Sequence, residues 1–275
     1  LVAVAAGDLS VRVPVHGPAD FQRLAVSFNR MTAELARADQ QRRNLTADVA
    51  HELRNPLHII QGNLEGILDG VYEPTQEHVA ATLDEARGLG RLVEDLRTLS
   101  LAEAGQLPMT WEPVDVAELM TDVGVSFGGL AEAAGLTLTV TSAPGLTLTG
   151  DAGRLDQVLG NLVANALRHT PRGGAITLRA EPFSLADGRR AVRIIVSDTG
   201  EGIAAADLPY IFDRFWRGDR ARTRADGAGS GLGLAIARQL VLAHAGSITA
   251  ESTAGRGTVF TLDLPLDPTP RPDRA

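Results

Sequence analysis

The sequence predicts a multidomain chain in two parts. The first is an all-α helical hairpin that would complete a dimeric four-helix bundle, and the second is an α+β sandwich. Three observations carry this. Apolar residues recur every three or four positions from about Phe21 to Leu68, and again from Pro74 or Thr75 to about Leu101. The turn joining these runs, "DGVYEPTQ" (69–76), is short enough to make them antiparallel neighbours. After Pro113 the pattern changes to short alternating segments interleaved with helical ones, the signature of one mixed sheet under several helices.

The elements follow in order. Residues 1–30 read as a helix end stopped at Gly7-Asp8, then an extended link punctuated by Pro14, Gly17 and Pro18. Asp20 is the expected cap of the next helix. Two helices in a hairpin cannot each bury an apolar stripe alone, so a second copy is the natural partner. "AEAGQLPMTWEP" (102–113) is a linker, and a helix-like stretch runs from 114 to 135. Strands are expected in "LTLTV", "LTLTG", "AITLRA", "AVRIIVSD", "SITAEST" and "GTVFTLDLP", with helices at about 151–169 and 231–245. The tail "DPTPRPDRA" (267–275) reads as disordered.

Composition excludes several function classes. The net charge of −8 and pI near 5.3 argue against a nucleic-acid partner, which leaves a basic footprint. There is no Cys, so thiolate and disulfide chemistry are absent, and no Lys, so all 26 basic side chains are Arg. No apolar run approaches the roughly 20 residues of a membrane span. The chain begins at Leu1 rather than Met, which predicts a soluble fragment with a membrane anchor open upstream, and the lack of Cys fits the cytoplasm.

"HELRNPL" (51–57) lies within the first long helical run. Leu45, Val49, Leu53, Leu57, Ile60, Leu64 and Ile67 form its apolar stripe. At roughly 100° per residue, His51 lies about 180° from the centre of that stripe, and Asn55 within about 40° of His51. Glu52 flanks them, and Pro56 should loosen the helix by removing an N–H. A zinc-protease site needs His-Glu-x-x-His, but Asn55 stands at the fifth position. From this stretch alone a solvated face, an acid–base pair and a phosphate acceptor all remain open.

Four further signals follow. Asn161 and Asn165 share a face of "DQVLGNLVANALRHT", where amides serve Mg²⁺, phosphate or structure equally. "DTGEGI" (198–203) ends an apolar strand with a carboxylate and two glycines, a tight turn or an adenine reader. "YIFDRFWR" (210–217) fits a ligand cover or a helix with a core face. "GAGSGLGLAIARQL" (227–240) opens a helix with alternating glycines, an anion cradle that is neither a Walker loop nor Gly-x-Gly-x-x-Gly. The polar stretch before it, "RGDRARTRADGAG", suggests a lid, and "GRGT" (255–258) is a hairpin turn.

Taken in order, these motifs resemble the N, G1, F, G2 and G3 boxes of the GHKL ATPases, histidine-kinase branch. With them, "HELRNPL" resembles the H box of a two-component sensor histidine kinase, and residues 5–35 are similar to the end of a HAMP linker. The resemblance implies a HAMP remnant over 1–36, a dimerisation and histidine-phosphotransfer domain over 37–105, and a Bergerat/GHKL ATP-binding domain over 110–266. It makes His51 the phospho-acceptor, Glu52 the general base and Asn55 the residue that orients water for dephosphorylating a response-regulator receiver domain. It places Asn161, Asn165, Arg168 and His169 at nucleotide and Mg²⁺, with Asn165 ahead of Asn161 for the metal. Asp198 would read adenine, with Gly200, Gly202 and Ile203 shaping its pocket. Phe212, Gly229, Ser230, Gly231, Leu232, Gly233, Leu234 and Thr258 complete the implied nucleotide set. The expected cofactors are ATP and Mg²⁺, and the expected partners a second copy and a response regulator. A conformationally coupled GHKL ATPase would carry Glu at the position of Asn161, and a degenerate scaffold would have lost nucleotide boxes.

Overall fold

The computed structural model describes residues 11–216 and 230–267, with the backbone alone over 38–46. The chain divides into two compact units, Leu1–Gly90 and Arg91–Ala275. Residues 1–10, the expected lid at 217–229 and the tail from 268 lie outside the described residues, as does the side chain of Leu45.

In the first unit an extended segment leads into helix α1 (Ala19–Leu68). Asn29 of α1 clamps that segment at two points. Its Oδ1 accepts from the Val13 N–H and its Nδ2 donates to the Val13 carbonyl, both at 2.8 Å. The helix begins after Pro18 with no side-chain cap, and Asp20 lies in its first turn rather than at its cap. The expected capping role fails because proline already presets the entry backbone. The helix also runs unbroken through Pro56, against the expected loosening there. Its end is tight: the N–H groups of Val71 and Tyr72 both donate to the Gly66 carbonyl, and the Tyr72 ring occupies the space of a Gly66 Cβ.

Helix α2 (Gln76–Glu103) starts where expected, with the Thr75 hydroxyl accepting from the His78 N–H at 3.2 Å. The division between the units falls within it. The Asn63 amide donates to the Thr82 hydroxyl at 3.3 Å, tying α1 to α2 inside the first unit. The α1 stripe is not a closed core. Val49, Leu53, Ile60 and Ile67 are half-buried, while Leu57 and Leu64 are exposed.

The second unit is the α+β sandwich. Strand β1 (Glu112–Asp115) pairs antiparallel with β3 (Thr147–Gly150) as a separate two-stranded sheet, a correction to the single sheet expected. The main sheet runs β2-β4-β5-β7-β6, from strands β2 (Thr137–Ser142), β4 (Ala175–Ser184), β5 (Arg190–Asp198), β6 (Ser247–Thr253) and β7 (Gly257–Pro265). Among the described strands only β2 and β4 pair in parallel.

Helices α3 (Val116–Ala134), α4 (Ala152–His169) and α5 (Gly233–Ala243) bury apolar stripes, with Val123, Leu162, Ile236 and Leu240 fully inaccessible. The strands supply the facing layer by two-residue alternation: Ile176 and Leu178 from β4, Val192, Ile194 and Val196 from β5, Phe260 and Leu262 from β7. Two N-caps fix the helix starts. The Asp115 carboxylate accepts from the N–H groups of Ala117 and Glu118, and the Asp151 carboxylate from that of Arg154. The described part of "YIFDRFWR", residues 210–216, is not an α-helix. A single 3₁₀ turn, Leu208–Tyr210, precedes irregular chain, because the stretch carries no sustained 3.6-residue stripe.

Candidate functional site

The alternation of β5 continues past its apolar residues. Val192, Ile194 and Val196 face the helices, so Asp198, two residues on, faces the same way at the strand end. Asp198 is 8% exposed. Its Oδ1 accepts from the Gly200 N–H at 2.8 Å and the Thr258 N–H at 3.2 Å. That leaves Oδ2 to accept from a ligand amine. Burial raises the Asp198 pKa, while the two backbone donors and the nearby His169 oppose the shift.

Glycine is required around this strand end. A Cβ on Gly200 would enter the space of the His169 carbonyl and the Asp198 carboxylate. Gly202 has φ +65 and abuts the Thr253 carbonyl, and Gly257 has φ +97 and abuts that of Asp198. These close approaches fold the loop after β5 onto the β6–β7 hairpin. Ser252 completes the junction: its hydroxyl accepts from the Ile203 N–H, donates to the Gly257 carbonyl, both at 2.8 Å, and lies 3.0 Å from the Thr258 hydroxyl.

Helix α4 brings the second group. Asn161 and Asn165 are half-buried one turn apart, and Arg168 is exposed near the helix end. The Asn161 Nδ2 donates to the Gly233 carbonyl at 3.1 Å, which binds α4 to the first turn of α5. Its amide is therefore partly committed to structure, whereas among the described residues no hydrogen bond ties up that of Asn165. A neutral amide oxygen suits Mg²⁺, which takes few protein ligands and draws the rest from phosphate and water. His169 closes α4, its Nδ1 2.9 Å from the Glu201 Oε1.

The glycine-rich segment leads into α5. Gly231 has its carbonyl held by the Phe215 N–H at 3.0 Å, Ser230 accepts from the Leu232 N–H at 3.3 Å, and Leu232 is fully buried. Leu234 is half-buried, and Gly229 lies outside the described residues. Phe212 packs edge-on against Phe260, ring centroids 6.3 Å apart. Arg214 Nε donates to the Glu103 carboxylate at 2.7 Å. The segment is thus held by side-chain and backbone bonds rather than by helix.

In the first unit His51 and Asn55 are exposed one turn apart on α1, with Glu52 half-buried between them. Positions i and i+4 are neighbours on a helix surface. The face can offer an imidazole to an approaching group and a carboxylate beside it.

Three features escaped the sequence reading. Glu201 and Ser252 lie between or outside the motif glycines, where no spacing rule points to them. His244 is 2% exposed, and its Nε2 accepts from the Asp151 N–H at 3.0 Å while its Nδ1 donates to the Leu240 carbonyl at 2.8 Å. The Asp151 carboxylate also accepts from the Thr110 N–H at 2.8 Å, so one Asp fastens the linker, α4 and α5. The apolar neighbours of His244 in sequence were the available signal for burial.

Comparison with known proteins places this geometry. Residues 150–268 match the model for the histidine kinase-, DNA gyrase B- and HSP90-like ATPase. Residues 41–105 match the His kinase A (phospho-acceptor) domain, and 1–37 the HAMP domain. The chain is 38% identical over 266 residues to the signal transduction histidine-protein kinase BaeS of Escherichia coli, covering 96% of this chain and 55% of that protein. It thus spans about half the length of the curated relatives it matches. The structure of the Acinetobacter baumannii histidine kinase AdeS is 30% identical with a TM-score of 0.66, over 78% of this chain and 98% of that one. That of histidine kinase ThkA in complex with the response regulator TrrA is 26% identical with a TM-score of 0.65, over 87% of this chain and 67% of that one. A phospho-acceptor hairpin and a GHKL-type ATPase sandwich in one chain, with these relatives, mean that the chain belongs to the sensor histidine kinase family.

Proposed function

We propose that the chain autophosphorylates on His51 with ATP and passes the phosphoryl group to an Asp of a response-regulator receiver domain. The observation that carries this reading is the presence, in one chain, of the buried Asp198 carboxylate beside the glycine turns and of a helix face with His51 and Asn55 exposed beside half-buried Glu52. An imidazole nitrogen attacks the γ-phosphorus, the bond to the β–γ bridging oxygen breaks, and ADP leaves. Glu52 receives the imidazole proton. Asp198 accepts the adenine amino N–H, and the Gly231–Gly233 turn offers backbone N–H groups to phosphate. Asn165 is the expected Mg²⁺ ligand with Asn161 as its neighbour; the ion, when bound, neutralises phosphate charge. Arg168 lies one turn on in the same helix. Its guanidinium keeps the positive charge required near phosphate.

The hydrolytic alternative asks residue 161 to deprotonate water. An amide already donating to the Gly233 carbonyl cannot do that. Asn55 supports a second, opposing activity, orienting water to dephosphorylate the regulator. The exposed apolar residues of the hairpin support a homodimer, whose helices would complete a four-helix bundle. No described helix is long and apolar enough to cross a membrane. The HAMP match supports reading the chain as the cytoplasmic part of a membrane-anchored sensor. The proposed phosphotransfer domain spans 37–105 and the proposed ATP-binding domain 110–266.

The test is incubation with γ-labelled ATP and Mg²⁺. The label should survive alkali and be lost in acid, and His51→Gln should abolish it while leaving ATP binding intact. A His51→Gln protein that still labels would rule the reading out.

A further inference from the structure

Glu201 occupies the position between Gly200 and Gly202, and its side chain does something the motif does not require. Its N–H donates to the His169 carbonyl at 3.1 Å, and its own carbonyl accepts from the Gly255 N–H at 2.7 Å. Any residue with this backbone could make those two bonds. The third belongs to the side chain, in which Oε1 lies 2.9 Å from the His169 Nδ1. A carboxylate only accepts, so Nδ1 carries the proton. In the neutral ring Nε2 is then an acceptor, and the imidazole is fixed in both tautomer and rotation. The two side chains are 35% and 37% exposed, so the pair sits at a rim rather than in the core. The His169 carbonyl and the Asp198 Oδ1 both crowd the position of a Gly200 Cβ, which sets residue 169 beside the group that would read the base.

We propose that Glu201 is a positioning residue for the nucleotide, holding the His169 imidazole in one tautomer and orientation at the mouth of the Asp198 pocket, where the ring meets the purine. This rests on the ATP-site reading above and extends it to a residue outside the motif. Glu201 touches no reacting atom. It acts through His169, so it sets how tightly the nucleotide is held and not how fast the phosphoryl group transfers. Without the carboxylate the ring rotates about two side-chain torsions and regains freedom that binding must then remove.

The experiment uses the full chain with Mg-ATP as probe, measuring the dissociation constant by titration and the autophosphorylation rate at saturating ATP. Glu201→Ala should weaken ATP binding by about three- to five-fold, the range of one net hydrogen bond. The saturated rate should stay at that of the parent. Glu201→Gln, whose amide oxygen still accepts from Nδ1, should restore most of the affinity. In a His169→Phe background, which keeps a ring and removes the nitrogen, Glu201→Ala should add nothing, because a residue acting only through another shows no independent effect. Unchanged affinity in Glu201→Ala overturns the proposal, as does a full additive loss in the His169→Phe background. A lower saturated rate at parental affinity overturns it too. Asp198→Asn separates this from the underlying reading. If that variant binds ATP like the parent, the pocket assignment itself fails, whatever the Glu201 variants do.

Discussion

The hairpin and the sandwich are built from similar apolar periodicity and finish in opposite states. Leu159 and Leu162 on α4 are 1% and 0% exposed, whereas Leu57 and Leu64 on α1 are 43% and 49% exposed. The sandwich closes on itself because the sheet offers a flat apolar face to three helices. Two helices have no third layer to cover them, so Leu57 and Leu64 of the α1 stripe are exposed and its other described members are only half-buried. The difference teaches that a periodic stripe specifies a helix and a face but not which chain covers that face. One unit is self-sufficient in its core, and the other carries a core still to be completed by the proposed second copy.

The largest effect should come from attacking the finished core. Leu162→Ala removes a fully buried side chain from α4 and should cost about 3 kcal/mol of the unfolding free energy of the second unit. Urea unfolding read from that unit tests it, and the loss should be independent of protein concentration. Leu64→Ala should behave differently, weakening self-association and lowering stability only as far as concentration allows. If its cost proves as concentration-independent as that of Leu162→Ala, the exposed stripe is not a dimer face and the contrast collapses.

Asp198→Asn tests the site end of the same comparison, since Asp198 is a polar group set in the inward register of β5. Asn is nearly isosteric and its oxygen can keep the Gly200 and Thr258 N–H bonds. Its nitrogen would face the adenine amine as a second donor, so ATP affinity should fall by roughly 100-fold. Stability should move the other way. Because burial raises the Asp198 pKa, the ionised form is disfavoured by folding at neutral pH, and the neutral amide relieves that. The gain should shrink as pH falls through the folded pKa, where Asp198 itself becomes neutral. A matched loss of both stability and binding would mean that the carboxylate is structural.

How far the sequence revealed this divides along the same line. Helix and strand limits in the sandwich were legible because each element carries its own period, and β6 and β7 begin and end where the alternation does. Asp198, Gly200 and Gly202 were legible because a carboxylate followed by two glycines leaves a local trace. Glu201 and Ser252 left none, since their bonds join segments about 30 to 50 residues apart and no local spacing encodes them. The separate β1–β3 sheet was missed for a related reason: alternation identifies a strand without naming its neighbour. On α1 the stripe and the outward His51 were legible, but the continuity through Pro56 was not. Proline removes one hydrogen bond, and a 50-residue helix has enough others to continue past it.

A smaller effect should come from His244, which has no counterpart buried in the hairpin. Burial lowers its pKa, opposed by the Leu240 carbonyl and the Asp151 carboxylate. The folded chain keeps the ring neutral while the unfolded chain takes up a proton below about pH 6.5. The stabilisation is therefore complete above that pH and lost as pH falls toward the lower folded value. Between pH 7.5 and 5.5 this group should therefore lower the stability of the second unit. His244→Phe leaves the Asp151 N–H unpaired and should be less stable throughout, but with a flatter pH dependence. An unchanged pH slope in that variant would assign the acid sensitivity to other groups.

The smallest effect separates ion pairs in the two units. Arg193 on β5 grips Asp263 on β7 with two bonds, at 2.7 and 2.9 Å, and its guanidinium lies 3.5 Å from the centre of the Phe183 ring. Those side chains are 29% and 17% exposed, whereas Arg30 and Glu34 on α1 are 80% and 54% exposed. A forked contact on a rigid sheet orders little that was not already ordered, while the helix pair must hold two solvated side chains in one geometry. Double-mutant cycles to Ala should give a coupling of about 1 kcal/mol for Arg193–Asp263 and about 0.3 kcal/mol for Arg30–Glu34. Added salt should reduce the second proportionally more, because its charges are the better screened. Equal couplings would mean that the solvent screens the outer face of the sheet as fully as the helix surface, and that the rigidity of the sandwich contributes to its core and its pocket but not to its charged surface.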